Sequence, residues 1–219
     1  MPNSNCNFTF NHYKEILELA KYKGYKFFKC EDLDKIKDFE KVIVLRHDID
    51  FSPKNATYFS DIEKNLGISS TYFIRLHATS YNPLELKTFN YIKKLKYNSH
   101  EIALHQEPDF AAMNDDETKD YLIREIQAFN LLFSVDIKGI STHEPARRGI
   151  QVNKGNIDDF SLKYESYFPE FTEDMKYISD SGARWREGCM CNWIKNNEKK
   201  LYINTHPFWW YKDTPLENY

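Results

Sequence analysis

The chain has 219 residues, 41% of them hydrophobic and 29% charged, a balance that suits a folded globular protein and excludes disorder as the main state. With 30 Lys and Arg against 33 Asp and Glu the net charge is −3, which leaves no global electrostatic basis for binding nucleic acid or an anionic membrane. No run approaches the roughly 20 apolar residues of a membrane-spanning helix, and the first ten residues have neither a basic start nor an apolar segment, so the expected location is cytoplasmic.

Tyr13, Ile16, Leu17, Leu19 and Ala20 predict a first helix that Gly24 closes. Val42-Ile43-Val44-Leu45 is a continuous, largely β-branched run that predicts a buried strand, and it leads straight into Arg46-His47-Asp48-Ile49-Asp50. Ser52-Pro53 offers an N-cap followed by Pro at the first helical position, for a helix that runs to Gly67. Ser70 to Leu76 predicts a strand, Asn82-Pro83 a second cap and Leu84 to Leu95 a helix. Glu101 to His105 predicts a short strand, and Thr118 to Phe133 a helix with Leu122, Ile126, Phe129 and Phe133 on one stripe. Val135 to Thr142 predicts a strand ending at His143, while Tyr177-Ile178-Ser179 and Leu201 to Asn204 are late strands, the second ending at His206. Residues 149–174 form an irregular excursion. Strands alternating with helices imply crossover units, a mainly parallel sheet and an α/β layer or barrel. The chain is read as one domain, 1–219, with residues 1–40 as a helical extension packed on it.

Asp48, Asp50, His105, His143 and His206 each follow the end of a predicted strand. In a parallel α/β fold those ends share one face, where active sites are built. Two carboxylates one residue apart are costly there unless a cation sits nearby. One carboxylate and two imidazoles can bind a divalent ion and leave room for water and substrate. The ion would acidify the water and polarise a carbonyl, while a second carboxylate takes the proton and a histidine protonates the leaving amine. Elsewhere His47 is expected to point away from Asp48 if the strand continues, either supporting the site from behind or lying in the core, His100 to be structural, and His12 and His77 to have no role. Cys6, Cys30, Cys189 and Cys191 are read as reduced thiols, and the one-residue gap between Cys189 and Cys191, without a second pair at finger spacing, as no metal site. Phe208-Trp209-Trp210-Tyr211 is read either as a core plug closing the barrel or, since a run of aromatics cannot all face inward from one strand, as leaving one such as Trp209 on the cleft or surface as a stacking platform for a flat or CH-rich ligand.

Val42 to Pro53 (VIVLRHDIDFSP), Ser99 to Glu107 (SHEIALHQE), Ser141 to Pro145 (STHEP), Tyr177 to Trp185 (YISDSGARW) and Asn204 to Trp210 (NTHPFWW) resemble, in order and spacing over about residues 40–210, the motifs of the polysaccharide deacetylase family. This is the NodB-homology or carbohydrate esterase 4 superfamily, in the branch with an Arg-His-Asp-x-Asp first motif. The resemblance implies a distorted (β/α) barrel and one divalent metal ion, zinc first, with nickel, cobalt, manganese or iron as alternatives. It implies hydrolysis of an N-acyl group, usually N-acetyl, from an amino-sugar during synthesis of a surface polysaccharide or a nucleotide- or lipid-linked precursor. It makes Asp48 the general base, Asp50 and His105 metal ligands and His206 the general acid, with Asp180 and Trp185 in the pocket-shaping fourth motif and Arg147 or Arg184 as a substrate or orienting cation. The second motif departs from the pattern, because Asp109 stands where a second histidine is usual. His143 is the expected third ligand, with Asp109 and then Glu107 as alternatives. Two other readings stay open: a carbohydrate-binding protein that has lost turnover, and a metallohydrolase of a non-sugar amide such as a formamide or cyclic imide.

Overall fold

The structure is a computed structural model that describes residues 6–107, 116–148, 157 and 160–219. Its elements are α1 (Phe10–Tyr22), β1 (Lys26–Phe28), β2 (Val42–Ile49), α2 (Pro53–Asn65), β3 (Thr71–Ile74), α3 (Leu86–Tyr97), β4 (Glu101–Gln106), α4 (Asp116–Phe133), β5 (Gly139–Thr142), β6 (Tyr164–Glu165), α5 (Pro169–Thr172), β7 (Lys176–Ser179), α6 (Met190–Lys195) and β8 (Lys200–Thr205). The strands form one sheet in the order β6-β5-β4-β3-β2-β8-β7, with β1 on β2, and every pairing is parallel. The sheet curls into an incomplete barrel whose edges are β6 and β7. Tyr167, just beyond β6, and Tyr177 on β7 bring their rings to 6.4 Å across the gap, and Tyr202 on β8 donates to the Ser166 carbonyl at 2.9 Å. Side chains, rather than a backbone ladder, close the wall.

Strand β2 is the centre of the design. All eight of its residues are buried, and strict alternation sends Val44, Arg46 and Asp48 into the barrel and Leu45 and His47 outward. Its first half pairs with β1 and its second half with β3 along one edge, while β8 runs along the other. The strand therefore extends four residues past the apolar run that announces it. Charge usually ends a strand, but Arg46 and Asp48 satisfy each other inside the barrel.

On the outer face, His47 joins a buried carboxylate network beneath α1 and α2. Glu63 accepts hydrogen bonds from Ser70 Oγ at 2.7 Å, Tyr72 OH at 2.9 Å and Tyr13 OH, and pairs with His47 Nε2 at 2.8 Å and His100 Nδ1 at 3.4 Å. Its carboxyl is pulled down to about 2, since the His47 and His100 charges and these hydrogen bonds outweigh the upward effect of burial. Both histidines thus serve the wall of the barrel.

Two boundaries differ from expectation for identifiable reasons. Strand β5 begins at Gly139 rather than Val135, because the amides of Val135 and Ile137 turn back to the carbonyl and side chain of Asn130 at the end of α4. Helix α3 begins at Leu86 because Glu85, not Asn82, caps it: Glu85 accepts from Thr88 N at 2.7 Å, while Asn82 Oδ1 accepts from Leu84 N in the preceding turn. Strands β1 and β6 and helix α6 were not expected from the sequence. At two to six residues they carry too little periodicity to announce themselves.

Candidate metal and active site

The C-terminal ends of the strands open into a cleft of about 410 Å³ lined by Asp48, Asp50, His105, His143, His206 and Trp209, among others. Asp48 and Asp50 come from the end of β2, His105 from β4, His143 from the turn after β5 and His206 from the turn after β8. Residues up to 158 positions apart in the chain thus meet because parallel strands end on one side.

Asp50 Oδ1 lies 3.4 Å from His105 Nε2 and 3.8 Å from His143 Nε2, and the three donor atoms fall within 4.8 Å of one another. Each imidazole is oriented from behind. His105 Nδ1 lies 2.8 Å from the Ser141 carbonyl, which can only accept, so Nδ1 carries a proton and Nε2 faces the cleft, where its lone pair serves a cation once any proton on Nε2 is displaced. His143 Nδ1 faces Glu107 Oε2 at 3.4 Å, and Glu107 is pinned by Arg75 at 2.7 and 2.8 Å. Burial raises the Glu107 carboxyl, but hydrogen bonding to His143 and the Arg75 charge win and hold it at about 2. Asp50 Oδ1 itself is buried and has no hydrogen-bond partner among the described residues. An orphaned carboxylate oxygen is expensive, and a divalent cation held by this oxygen and the two Nε2 atoms would satisfy it. The residues fit such an ion, and Asp50, His105 and His143 form a group that could bind one. Asp109 lies outside the described residues, while Glu107 meets the group only through His143.

Asp48 is held differently. Arg46, fully buried, grips it with Nε to Oδ1 at 3.1 Å and Nη2 to Oδ2 at 2.5 Å, and Asn204 Nδ2 adds a bond to Oδ2 at 2.9 Å. Arg46 is in turn fixed by Tyr202 OH at 2.9 Å and Ser141 Oγ at 3.0 Å, with the rings of Phe73 and Tyr167 about its guanidinium. Burial pushes the Asp48 carboxyl up, but the charge of Arg46, followed by those of His105 and His206, holds it well below the usual carboxylate range. It is ionised throughout the neutral range and fixed in orientation.

His206 completes the cleft. Its Nδ1 lies 2.6 Å from Asp180 Oδ1, its backbone N donates to the same oxygen at 2.9 Å, and Trp210 Nε1 donates to Asp180 Oδ2 at 2.7 Å. Nε2 then faces Asp48 Oδ2 at 3.9 Å and Asp50 Oδ2 at 3.8 Å. Burial lowers the His206 pKa, but Asp180, then Asp50 and Asp48, more than reverse this and raise it to about 9. An imidazolium with its free N–H aimed into the cleft is the result.

No family model and no curated protein matches the chain. Solved structures do. The chain is similar to a CE4 family pseudoenzyme from Bacillus anthracis in a mutant form with restored enzymatic activity, at 13% identity and TM-score 0.56 over 77% of this chain and 57% of that one. It is similar also to the chitin deacetylase of the fungal pathogen Colletotrichum lindemuthianum, at 11% identity and TM-score 0.53 over 75% and 73% of the two chains. A family 4 carbohydrate esterase from Bacillus anthracis aligns at 14% identity and TM-score 0.50 over 86% and 75%. The fold is that of the family 4 carbohydrate esterases. The chain spans little more than half of the pseudoenzyme, 57% of its length.

Within this esterase fold the other residues singled out from the sequence divide. Arg147 and Trp209 line the cleft, Arg147 with its guanidinium 3.1 Å from Glu144 and largely in solvent. Asp180 is fully buried behind His206, so it positions that residue instead of facing a substrate. Trp185 stacks on Phe8 at 6.2 Å and meets the edge of Trp210, and Arg184 is exposed; neither lines the cleft. The sequence reading had no role for Arg75 or Tyr167, which do line it. Arg75 stood inside an expected strand, and only its inward-facing parity at the end of β3 would have revealed it.

Proposed function

We propose that this chain is a metal-dependent hydrolase that removes an N-acyl group, N-acetyl first among them, from an amino-sugar of a glycan or of its nucleotide- or lipid-linked precursor. The observation that carries the reading is the orphaned Asp50 Oδ1 between two imidazoles whose other nitrogens are already committed, beside an ionised Asp48 and a protonated His206. Bound to Asp50, His105 and His143, a divalent ion supplies Lewis-acid polarisation of the acyl carbonyl and makes water a better nucleophile near neutral pH. Asp48 accepts the proton of the attacking water at a carboxylate oxygen, with Arg46 and Asn204 keeping that carboxylate aimed. His206 donates from Nε2 to the departing nitrogen, and Asp180 on Nδ1 keeps it charged until then. Trp209 offers a face for the sugar ring, and Arg147 an exposed cation at the rim for a substrate phosphate or carboxylate. The cleft is at the small end of the roughly 300–1,000 Å³ range for ligand sites, which suits one sugar residue and its acyl group.

The fold by itself does not separate an enzyme from a binding protein, since one neighbour is a pseudoenzyme. The donor set does favour turnover, because ligands, base and acid all come from described residues of this chain. The test is release of acetate or formate from N-acylated amino-sugars and from simple formamides and cyclic imides, with and without chelator. Chelator-sensitive release from the sugars alone supports the proposal. Release only from the non-sugar amides moves the substrate class, and glycan binding without release, at full metal loading, replaces the enzyme with a lectin-like protein.

A further inference from the structure

Far from the cleft ligands in sequence, the structure gathers a second set of metal-type donors. Cys6 precedes α1, His12 stands in its first turn, Cys189 is the N-cap of α6 and Cys191 lies in the first turn of that helix. Cys6 Sγ is 3.4 Å from Cys191 Sγ, Cys189 Sγ is 3.5 Å from His12 Nε2, and all four donor atoms fall within 4.8 Å of one another. For a tetrahedral zinc with Zn–S of about 2.3 Å and Zn–N of about 2.0–2.1 Å, the donor-to-donor edges are about 3.6–3.8 Å. The two measured edges sit within a few tenths of an ångström of that. Cys189 and Cys191 are buried, and Glu15 lies behind His12 Nδ1 at 3.7 Å, where a carboxylate commonly orients a ligating imidazole. Lys195 Nζ is 4.0 Å from Cys191 Sγ and offsets the negative charge that three thiolates on one divalent ion leave.

We propose that Cys6, His12, Cys189 and Cys191 form a closed Cys₃His site for one zinc ion. Four protein donors leave no open position, so the site is structural. The ion ties the N-terminal segment to α6. That segment also carries Phe8, packed on Trp185 and Trp210, and Trp210 donates to the Asp180 that holds His206. The site thus braces the rear of the cleft. The spacing of Cys189 and Cys191 hid it, because the partners come from the other end of the chain.

Cobalt substitution tests this on the reduced, intact protein. Thiolate ligation gives an intense sulfur-to-cobalt charge-transfer band, which a carboxylate and two imidazoles cannot produce. Titrated to saturation, cobalt should give the band with the intensity of one thiolate site per chain in wild type, and equally in an Asp50→Ala/His105→Ala variant, so this test is independent of the fate of the cleft. Cys191→Ser and Cys189→Ser should each weaken cobalt and zinc retention at this site by at least about tenfold. Absence of the band from folded, reduced wild type overturns the proposal. So does a thiol count, on unfolded but unreduced metal-free protein, that finds Cys6 and Cys191 already joined as a disulfide.

Discussion

Replacing Asp180 with Asn keeps the size of the side chain and the acceptor for His206 Nδ1, but removes the charge. In the native protein that carboxylate, helped by Asp50 and Asp48, raises His206 from its ordinary 6.5 to about 9 despite its burial. If the charge is most of the effect, the variant returns to about 6.5 or below. At pH 7.5 the protonated fraction then falls from about 97% to about 9%, and an activity that needs the acid form falls about tenfold. The basic limb of the pH profile moves down by about 2.5 units. A cation on Asp50 cancels part of that residue's pull in both proteins, so the displacement between them is the quantity to read. The folded-state pKa is raised, so the interaction stabilises fully below about pH 6.5 and is lost as pH rises through about 9. The stability deficit of Asp180→Asn should therefore be largest at pH 6 and shrink towards pH 10, on top of a pH-independent loss of about 1–3 kcal/mol where Trp210 Nε1 no longer meets an acceptor. Titration of the His206 imidazole by NMR, assigned with His206→Gln, reads the shift without any substrate. An unchanged titration in Asp180→Asn would refute the assignment of His206 as an acid held charged by Asp180.

Other perturbations separate the remaining roles. Asp50→Ala and His105→Ala should each abolish the metal equivalent that is retained without thiolate bands, and His143→Ala should weaken it more than Glu107→Ala, which acts only through His143; a loss confined to Asp109→Ala would move the third ligand there. Asp48→Asn should leave metal content intact and lower turnover by about 10²–10⁴-fold, so retained turnover sinks the general-base role. Arg46→Met strands the Asp48 charge in a buried site and should cost about 3–5 kcal/mol in urea unfolding. Adding Asp48→Asn should recover more than half of that, and simple additivity of the two losses would show that the pair is not coupled.

What could be read from the sequence follows from how parallel strands are written. Buried strands appear as apolar runs, so Val42, Glu101 and Leu201 begin segments whose ends carry Asp48 and Asp50, His105 and His206, and the convergence of those ends needs only the βα alternation. Arg46 was harder. A charge after an apolar run looks like an exit to solvent, and only the parity that sends it inward with Asp48 makes it part of the barrel filling. The cysteine cluster was illegible for a different reason. Its halves lie 183 residues apart, from Cys6 to Cys189, and local spacing carries no information about contacts between α1 and α6. Short β1 and β6 exist because neighbours offer them a ladder, which no local propensity records.

The charges of the cleft can be paired off, and the pairing leaves a remainder. Arg46 matches Asp48, Arg75 matches Glu107, and the His206 imidazolium matches Asp180, at 2.5, 2.7 and 2.6 Å. Asp50 is left with distant neighbours only, the nearest at 3.4 Å, and one of its oxygens has no hydrogen-bond partner among the described residues. With His105 neutral, as a ligand must be, a single positive charge there would bring the site to neutrality. A divalent ion held by Asp50, His105 and His143 would go one further, and its surplus charge would favour an acyl oxygen that gains negative charge in the proposed hydrolysis. The arrangement that keeps three carboxylates quiet and one short of a cation is therefore the same arrangement that would favour an anionic transition state over the neutral amide.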